Sequence, residues 1–178
     1  KIAKHNTSST IITHMNQFSL SANIETGFPE GSQYIVTPNA KKVLAEIVNG
    51  YQSGIHSYTI IGTYGTGKSS FLIALQNDLS GRSKKKYIFD NIDVLGCEKV
   101  ETLNIVGDYA SLPLLLSRKL NIEGDTASVL DALRAYCSKL NAKNTFLVIM
   151  IDEFGKVLEH AAKKDPERNF KVGFGCEM

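Results

Sequence analysis

The feature that most constrains this chain is the run Gly62-Thr63-Tyr64-Gly65-Thr66-Gly67-Lys68-Ser69, which fits G-x-x-x-x-G-K-[ST]. Glycines at that spacing let the backbone curl until successive N–H groups point inward as an anion nest. Downstream, Phe71, Leu72, Leu75 and Leu79 share one helical face and Gly81 follows them, so a helix is expected to start near Lys68. Its N-terminus adds the positive end of a helix dipole to the nest. Upstream lies a short β-rich run, Tyr58-Thr59-Ile60-Ile61. In this arrangement Lys68 reaches the β- and γ-phosphates of a nucleotide and the Ser69 hydroxyl ligates magnesium. Ser70, beside it, joins the phosphate-binding set. The alternative is a glycine-rich turn carrying a solvated lysine.

A second run, Phe146-Leu147-Val148-Ile149-Met150-Ile151-Asp152-Glu153, pairs with the first. Residues 146–151 are apolar at every position, as expected for a strand buried on both faces of a parallel sheet. Such a strand delivers Asp152 and Glu153 at its carboxyl end, where ligands bind in open α/β sheets. Asp152 is expected to hold magnesium together with Ser69. Glu153 is placed to polarise a water for attack on the γ-phosphate. An apolar strand ending in two acids is weak evidence alone. It gains weight from the room for two crossover units between Lys68 and Asp152.

The rest of the chain alternates in the same way. Thr37 is expected to cap a helix that has Pro38 at its first position, with Ala40, Val43, Leu44, Ile47, Val48 and Tyr51 at helical spacing. Gly50 or Gly54 ends it. Leu103, Ile105 and Val106 suggest a strand ending at Gly107, and residues 87–101 are ambiguous. Helices are expected over 111–120, over 126–140 (with Val129, Leu130, Leu133, Cys137 and Leu140 inward), and over 156–163, stopped by Asp165-Pro166. Phe18, Leu20, Ala22 and Ile24 alternate like a short strand, and Pro29-Glu30-Gly31 reads as a turn. The pattern predicts an α/β fold with a mostly parallel sheet. Residues 1–36 form an ill-defined extension and 37–178 the nucleotide-binding core.

Composition narrows the function classes. Twenty basic against 18 acidic residues leave a net charge of +2 in 178 residues, which gives a nucleic-acid-binding role no support. Apolar residues at 43% suffice for a core. The longest apolar run, 146–151, is far short of the roughly 20 residues of a membrane span. Cys97, Cys137 and Cys176 show no C-x-x-C spacing and fit reduced thiols of a cytoplasmic protein. His5, His14, His56 and His160 have no metal-ligand spacing. Lys84-Lys85-Lys86 fits a solvated loop, or a contact to a nucleic-acid backbone.

Together the two motifs resemble the P-loop ATPases with an additional catalytic glutamate, the division of AAA-type, helicase-like and signalling ATPases. The resemblance spans about residues 37–162. It implies a three-layer P-loop fold, ATP and Mg²⁺ as ligands, and other domains or subunits as partners. GTP is less suited, because Asn141-Ala142-Lys143-Asn144 does not match the guanine-reading N-K-x-D motif. As in AAA-type ATPases, Tyr34 and Ile35 are candidates for an adenine-pocket wall; simple packing is the alternative. Arg118, Arg134 and Arg168 are the candidates for an arginine finger. More narrowly, residues 54–62, Ile105-Val106-Gly107-Asp108-Tyr109 and Ile151-Asp152-Glu153-Phe154-Gly155-Lys156 resemble large ATP-binding proteins of bacterial phage-defence (BREX-like) systems. Those are long multidomain chains, which implies that this sequence is a portion of one. It begins at Lys1 and leaves only residues 154–178 after the acidic pair. In the resembled division the next strand inserts between the P-loop strand and the acidic-pair strand. The stretch around Phe170-Lys171-Val172, flanked by Pro166, Gly173 and Gly175, makes a poor central strand. The two strand edges are then expected either to pair directly or to stay loose, with weak hydrolysis as the consequence. Two functions follow: Mg-ATP hydrolysis that drives a conformational change, or an ATP-operated binding switch with little turnover.

Overall fold

The computed structural model describes residues 23–28, 34–81, 86–90 and 95–164. Five α-helices and two β-strands lie among them: α1 (Pro38–Gln52), α2 (Lys68–Leu79), β1 (Lys99–Val106), α3 (Leu112–Leu120), α4 (Thr126–Asn141), β2 (Thr145–Asp152) and α5 (Phe154–Lys164). The protein is mixed α/β with a small parallel sheet. β1 and β2 run in register from Lys99 opposite Thr145 to Val106 opposite Asp152. A parallel pair needs a crossover, and α3 and α4 supply it.

Strand parity divides the core in two. Val100 and Val106 of β1, with Val148 and Met150 of β2, face Phe71, Leu75 and Leu79 of α2, and α1 adds Val43, Leu44, Ile47 and Val48. Leu103 and Ile105, with Leu147 and Ile151, face Leu115 and Leu116 of α3, Val129 of α4 and Val157 of α5. Helices therefore cover both faces of the sheet. α2 lies deepest, with Ile73 and Ala74 fully buried besides its expected apolar face.

Local signals act at several helix ends, the Thr37 cap as expected. Thr37 Oγ1 accepts from the Ala40 N–H at 3.1 Å, with Pro38 opening α1. Gly50 stays inside α1, and Gly54, at φ +88°, lies beyond its end. Asp125 caps α4 by accepting from the Ser128 N–H at 2.9 Å, which holds its carboxyl below the usual range.

Four expectations need correction. Residues 55–63, read as a strand at 58–61, make no ladder bonds, and Ile61 is 90% exposed. Intrinsic β preference does not make a strand without a partner edge, and only β1 and β2 pair among the described residues. Residues 55–63 and β2 are thus neither paired directly nor bridged by a described strand; residues 165–178 lie outside the described ones. Second, β2 is not buried throughout: Ile149 is 40% exposed where the helices leave it uncovered. Third, Leu130 of α4 points outward at 41% exposure. Fourth, α5 starts at Phe154, two residues before the expected start, directly after Glu153. Of the expected strand near the N-terminus only Ile24 is described. It sits in a turn closed by Asn23 Oδ1, which accepts from the N–H groups of Glu25 and Thr26, and is itself 1% exposed. The expected turn at 29–31 lies outside the described residues.

Candidate functional site

Both motifs stand at helix and strand ends. Gly62, Thr63, Tyr64, Gly65, Thr66 and Gly67 form an exposed loop that leads directly into α2. Gly65 (φ +80°) and Gly67 (φ +85°) occupy the left-handed region, where a side chain is strained. Gly67 is also the N-cap of α2, and its carbonyl accepts from the Phe71 N–H at 2.8 Å. Thr66 Oγ1 donates to the Thr63 carbonyl at 2.8 Å and closes the loop on itself. Lys68 Nζ donates to the Gly62 and Thr63 carbonyls, each at 2.8 Å, so its ammonium lies across the loop mouth. Ser69 and Ser70 are half-buried in the first turn of α2. Tyr64 is 92% exposed.

At the carboxyl end of β2, Asp152 is 7% exposed and, by strand parity, lies on the sheet face that packs against α2. Its Oδ1 accepts from the Glu153 N–H at 3.0 Å. Glu153 itself has φ +53°, a left-handed conformation rare for a residue with a long side chain. Gly107 explains how that turn fits. Its N–H donates to the Asp152 carbonyl at 2.7 Å, and a Cβ there would lie 2.4 Å from the Glu153 carbonyl oxygen. Only glycine lets the end of β1 come so close to the acidic pair.

The oxygens of Ser69 and Asp152 are the donors expected to serve magnesium. Among the described residues no three His, Cys, Asp or Glu side chains gather as a metal site. Beside a nucleotide, Mg²⁺ uses one or two protein oxygens and completes its shell with phosphates and water, and that is the role expected of Ser69 and Asp152.

A charged rim flanks the pair, and sequence reasoning assigned its members no role. Lys156, one turn into α5, is ion-paired with Glu153 Oε2. Asp108, just after β1, adds its charge, and with Glu153 it pushes the Lys156 ammonium's pKa up, the hydrogen bond to Glu153 being the larger cause. The Glu159 carboxylate is the main cause that raises the Tyr109 phenol's pKa, and Lys163 lies 5.3 Å over the Tyr109 ring. The available signal was the i, i+3 spacing of Glu153 and Lys156, legible once α5 is known to start at Phe154.

The other candidates lie apart from one another. Tyr34 packs in a cluster with Phe28 and Tyr87, at centroid separations of 6.0 and 6.2 Å, whereas Ile35 is 81% exposed. Arg134 pairs with Asp131 on the outer face of α4. Arg118 lines a shallow groove with Glu25 and Lys119. Arg168 is outside the described residues. Cys97 and Cys137 are free thiols, and no described helix is long and apolar enough to cross a membrane. Compared with protein-family models, curated proteins and solved structures, the chain finds no match.

Proposed function

We propose that this chain is a cytoplasmic P-loop ATPase unit that binds Mg-ATP at residues 62–70 and hydrolyses it to ADP and phosphate. The observation that carries the reading is the pairing of two specialised backbones. A loop with two left-handed glycines opens α2 at Lys68, and a left-handed Glu153 follows a buried Asp152 on the α2 face of the sheet. The first presents N–H groups and a helix N-terminus to phosphates. The second stores strain at the residue that would act on water.

Within that reading, the Lys68 ammonium exchanges its two carbonyl partners for phosphate oxygens and offsets their charge. Ser69 and Asp152 would hold magnesium, which would supply charge neutralisation to the bound nucleotide. Glu153 accepts a proton from the attacking water. The helices on both faces of the sheet, with the loop at the start of α2, support a three-layer P-loop fold. Turnover would drive a conformational change in a larger assembly, of which bacterial phage defence is the setting the motifs suggest.

One observation favours a second reading, an ATP-operated binding switch: the carboxylate of Glu153 is already engaged by Lys156. Magnesium-dependent ATP binding, measured by calorimetry, tests what both readings share. Lys68→Ala should weaken binding with or without the metal. Ser69→Ala and Asp152→Ala should mainly abolish its dependence on magnesium. An Asp152→Ala protein with unchanged magnesium dependence contradicts the assignment.

A further inference from the structure

We propose that the free edge of β1 is the docking site of the chain's own residues 18–22, which add a strand parallel to β1. The register sets Leu20 opposite Val100 and Ala22 opposite Thr102, and it continues to Ile24 beside Asn104.

Among the described residues β1 pairs with β2 alone, so its other edge presents N–H and C=O groups that a further strand can take. The chain is anchored at that edge just after the segment. The Ile24 carbonyl accepts from Asn104 Nδ2 at 3.4 Å, and the Ile24 side chain is 1% exposed in the core shared with α2 and Val100. Glu25, the next residue, lines a groove with Ile105 and Val106 and pairs with Lys119 at 2.7 Å. From Ile24 to Glu25 the chain thus runs in the direction of β1, and the residues before Asn23 fall along its first half. That half alternates: Lys99 and Glu101 are exposed, Val100 and Thr102 half-buried. Residues 18–22 alternate with the same parity, Phe18, Leu20 and Ala22 against Ser19 and Ser21. The anchor at Ile24 sets the apolar three on the α2 face and the two serines beside Lys99 and Glu101. A slip of one residue would reverse both sets. Finally, Asn104 Oδ1 is buried and has no hydrogen-bond partner among the described residues, so an acceptor is on offer where the segment joins its anchor. β1 leads to Gly107, whose N–H holds the Asp152 carbonyl, so covering its edge steadies the acidic pair as well as the sheet.

The test pairs cysteines in the full chain after Cys97, Cys137 and Cys176 are replaced by alanine. Neighbouring strands lie about 4.8 Å apart, within the roughly 4.4–6.8 Å Cα separation that a disulfide needs. Under mild oxidation Leu20→Cys with Val100→Cys should close an intrachain disulfide in most molecules, whereas Ser21→Cys with Val100→Cys should stay reduced. In the wild-type chain, amide hydrogen exchange over residues 18–22 should be about tenfold or more slower than in a synthetic peptide of the same sequence. Leu20→Asn should lower the melting temperature by about 3–8 °C, and Ser21→Asn should leave it within about 1 °C. Residues 18–22 that exchange as fast as the peptide overturn the docking, as does a Ser21 pair that closes as readily as the Leu20 pair. A disulfide that forms only between two molecules gives the edge to a second copy of the chain and overturns it likewise.

Discussion

The left-handed backbone of Glu153 allows a test that does not depend on catalysis. At φ +53° a residue with a Cβ is strained by about 1–2 kcal/mol, a cost that glycine escapes. At an ordinary position the order is reversed, because glycine gives the unfolded chain more freedom and is less stable than alanine by about 0.4–1 kcal/mol. Glu153→Ala and Glu153→Gly both remove the Lys156 ion pair, so that contribution cancels in their comparison. What remains is strain relief less the entropy difference, which leaves the Gly variant more stable by about 1 kcal/mol. For a chain of this size that is a melting temperature about 2–4 °C higher. Scanning calorimetry or circular dichroism of the two variants measures it. On the proposed function both variants should lose most of their ATP turnover, so the more stable backbone would come without the base. If the Ala variant melts at the same temperature as the Gly variant or above it, Glu153 is not held left-handed, and the argument from stored strain fails.

Two further predictions concern what surrounds the site. Gly107→Ala places a methyl group 2.4 Å from the Glu153 carbonyl oxygen, backbone that cannot swing aside, so it should destabilise by about 1–3 kcal/mol and slow turnover; an unchanged melting temperature would contradict the close approach. Asp78, 1% exposed on α2, accepts from the N–H groups of Tyr87, Ile88 and Phe89 at 2.7–3.0 Å. Asp78→Asn weakens that clasp and should lower the urea midpoint by the equivalent of about 1–3 kcal/mol at unchanged slope, whereas a wild-type midpoint would show that the clasp contributes nothing.

How much of this was legible follows from how local each cause is. The Thr37 cap, the Pro38 start, the α2 start after Gly67 and the register-bearing apolar runs of β1 and β2 depend on neighbours within a few residues, and they appear where the pattern puts them. Whether residues 58–61 join a sheet depends on which edge reaches them, and that is a non-local matter the β-rich composition does not decide. Gly107 shows the same limit. Its need for glycine arises from the Glu153 carbonyl, 46 positions on, and no turn signal around it announces that contact. Asp78 was partly legible. It lies seven residues after Phe71 and three after Leu75, so a carboxylate falls on the apolar face of α2, and it had to find partners there. The left-handed Glu153 was not legible, because nothing in a run of apolar residues followed by two acids fixes the sign of φ at the second acid.

The proposal that Glu153 is the base of a Mg-ATPase is most directly tested by comparing ATP binding with ATP hydrolysis in Glu153→Gln and wild type, at saturating magnesium. Glutamine keeps the shape and removes the proton acceptor. The variant should bind ATP as the wild type does while its turnover falls by roughly 10²–10⁴-fold. A Glu153→Gln protein that hydrolyses ATP at the wild-type rate would contradict it.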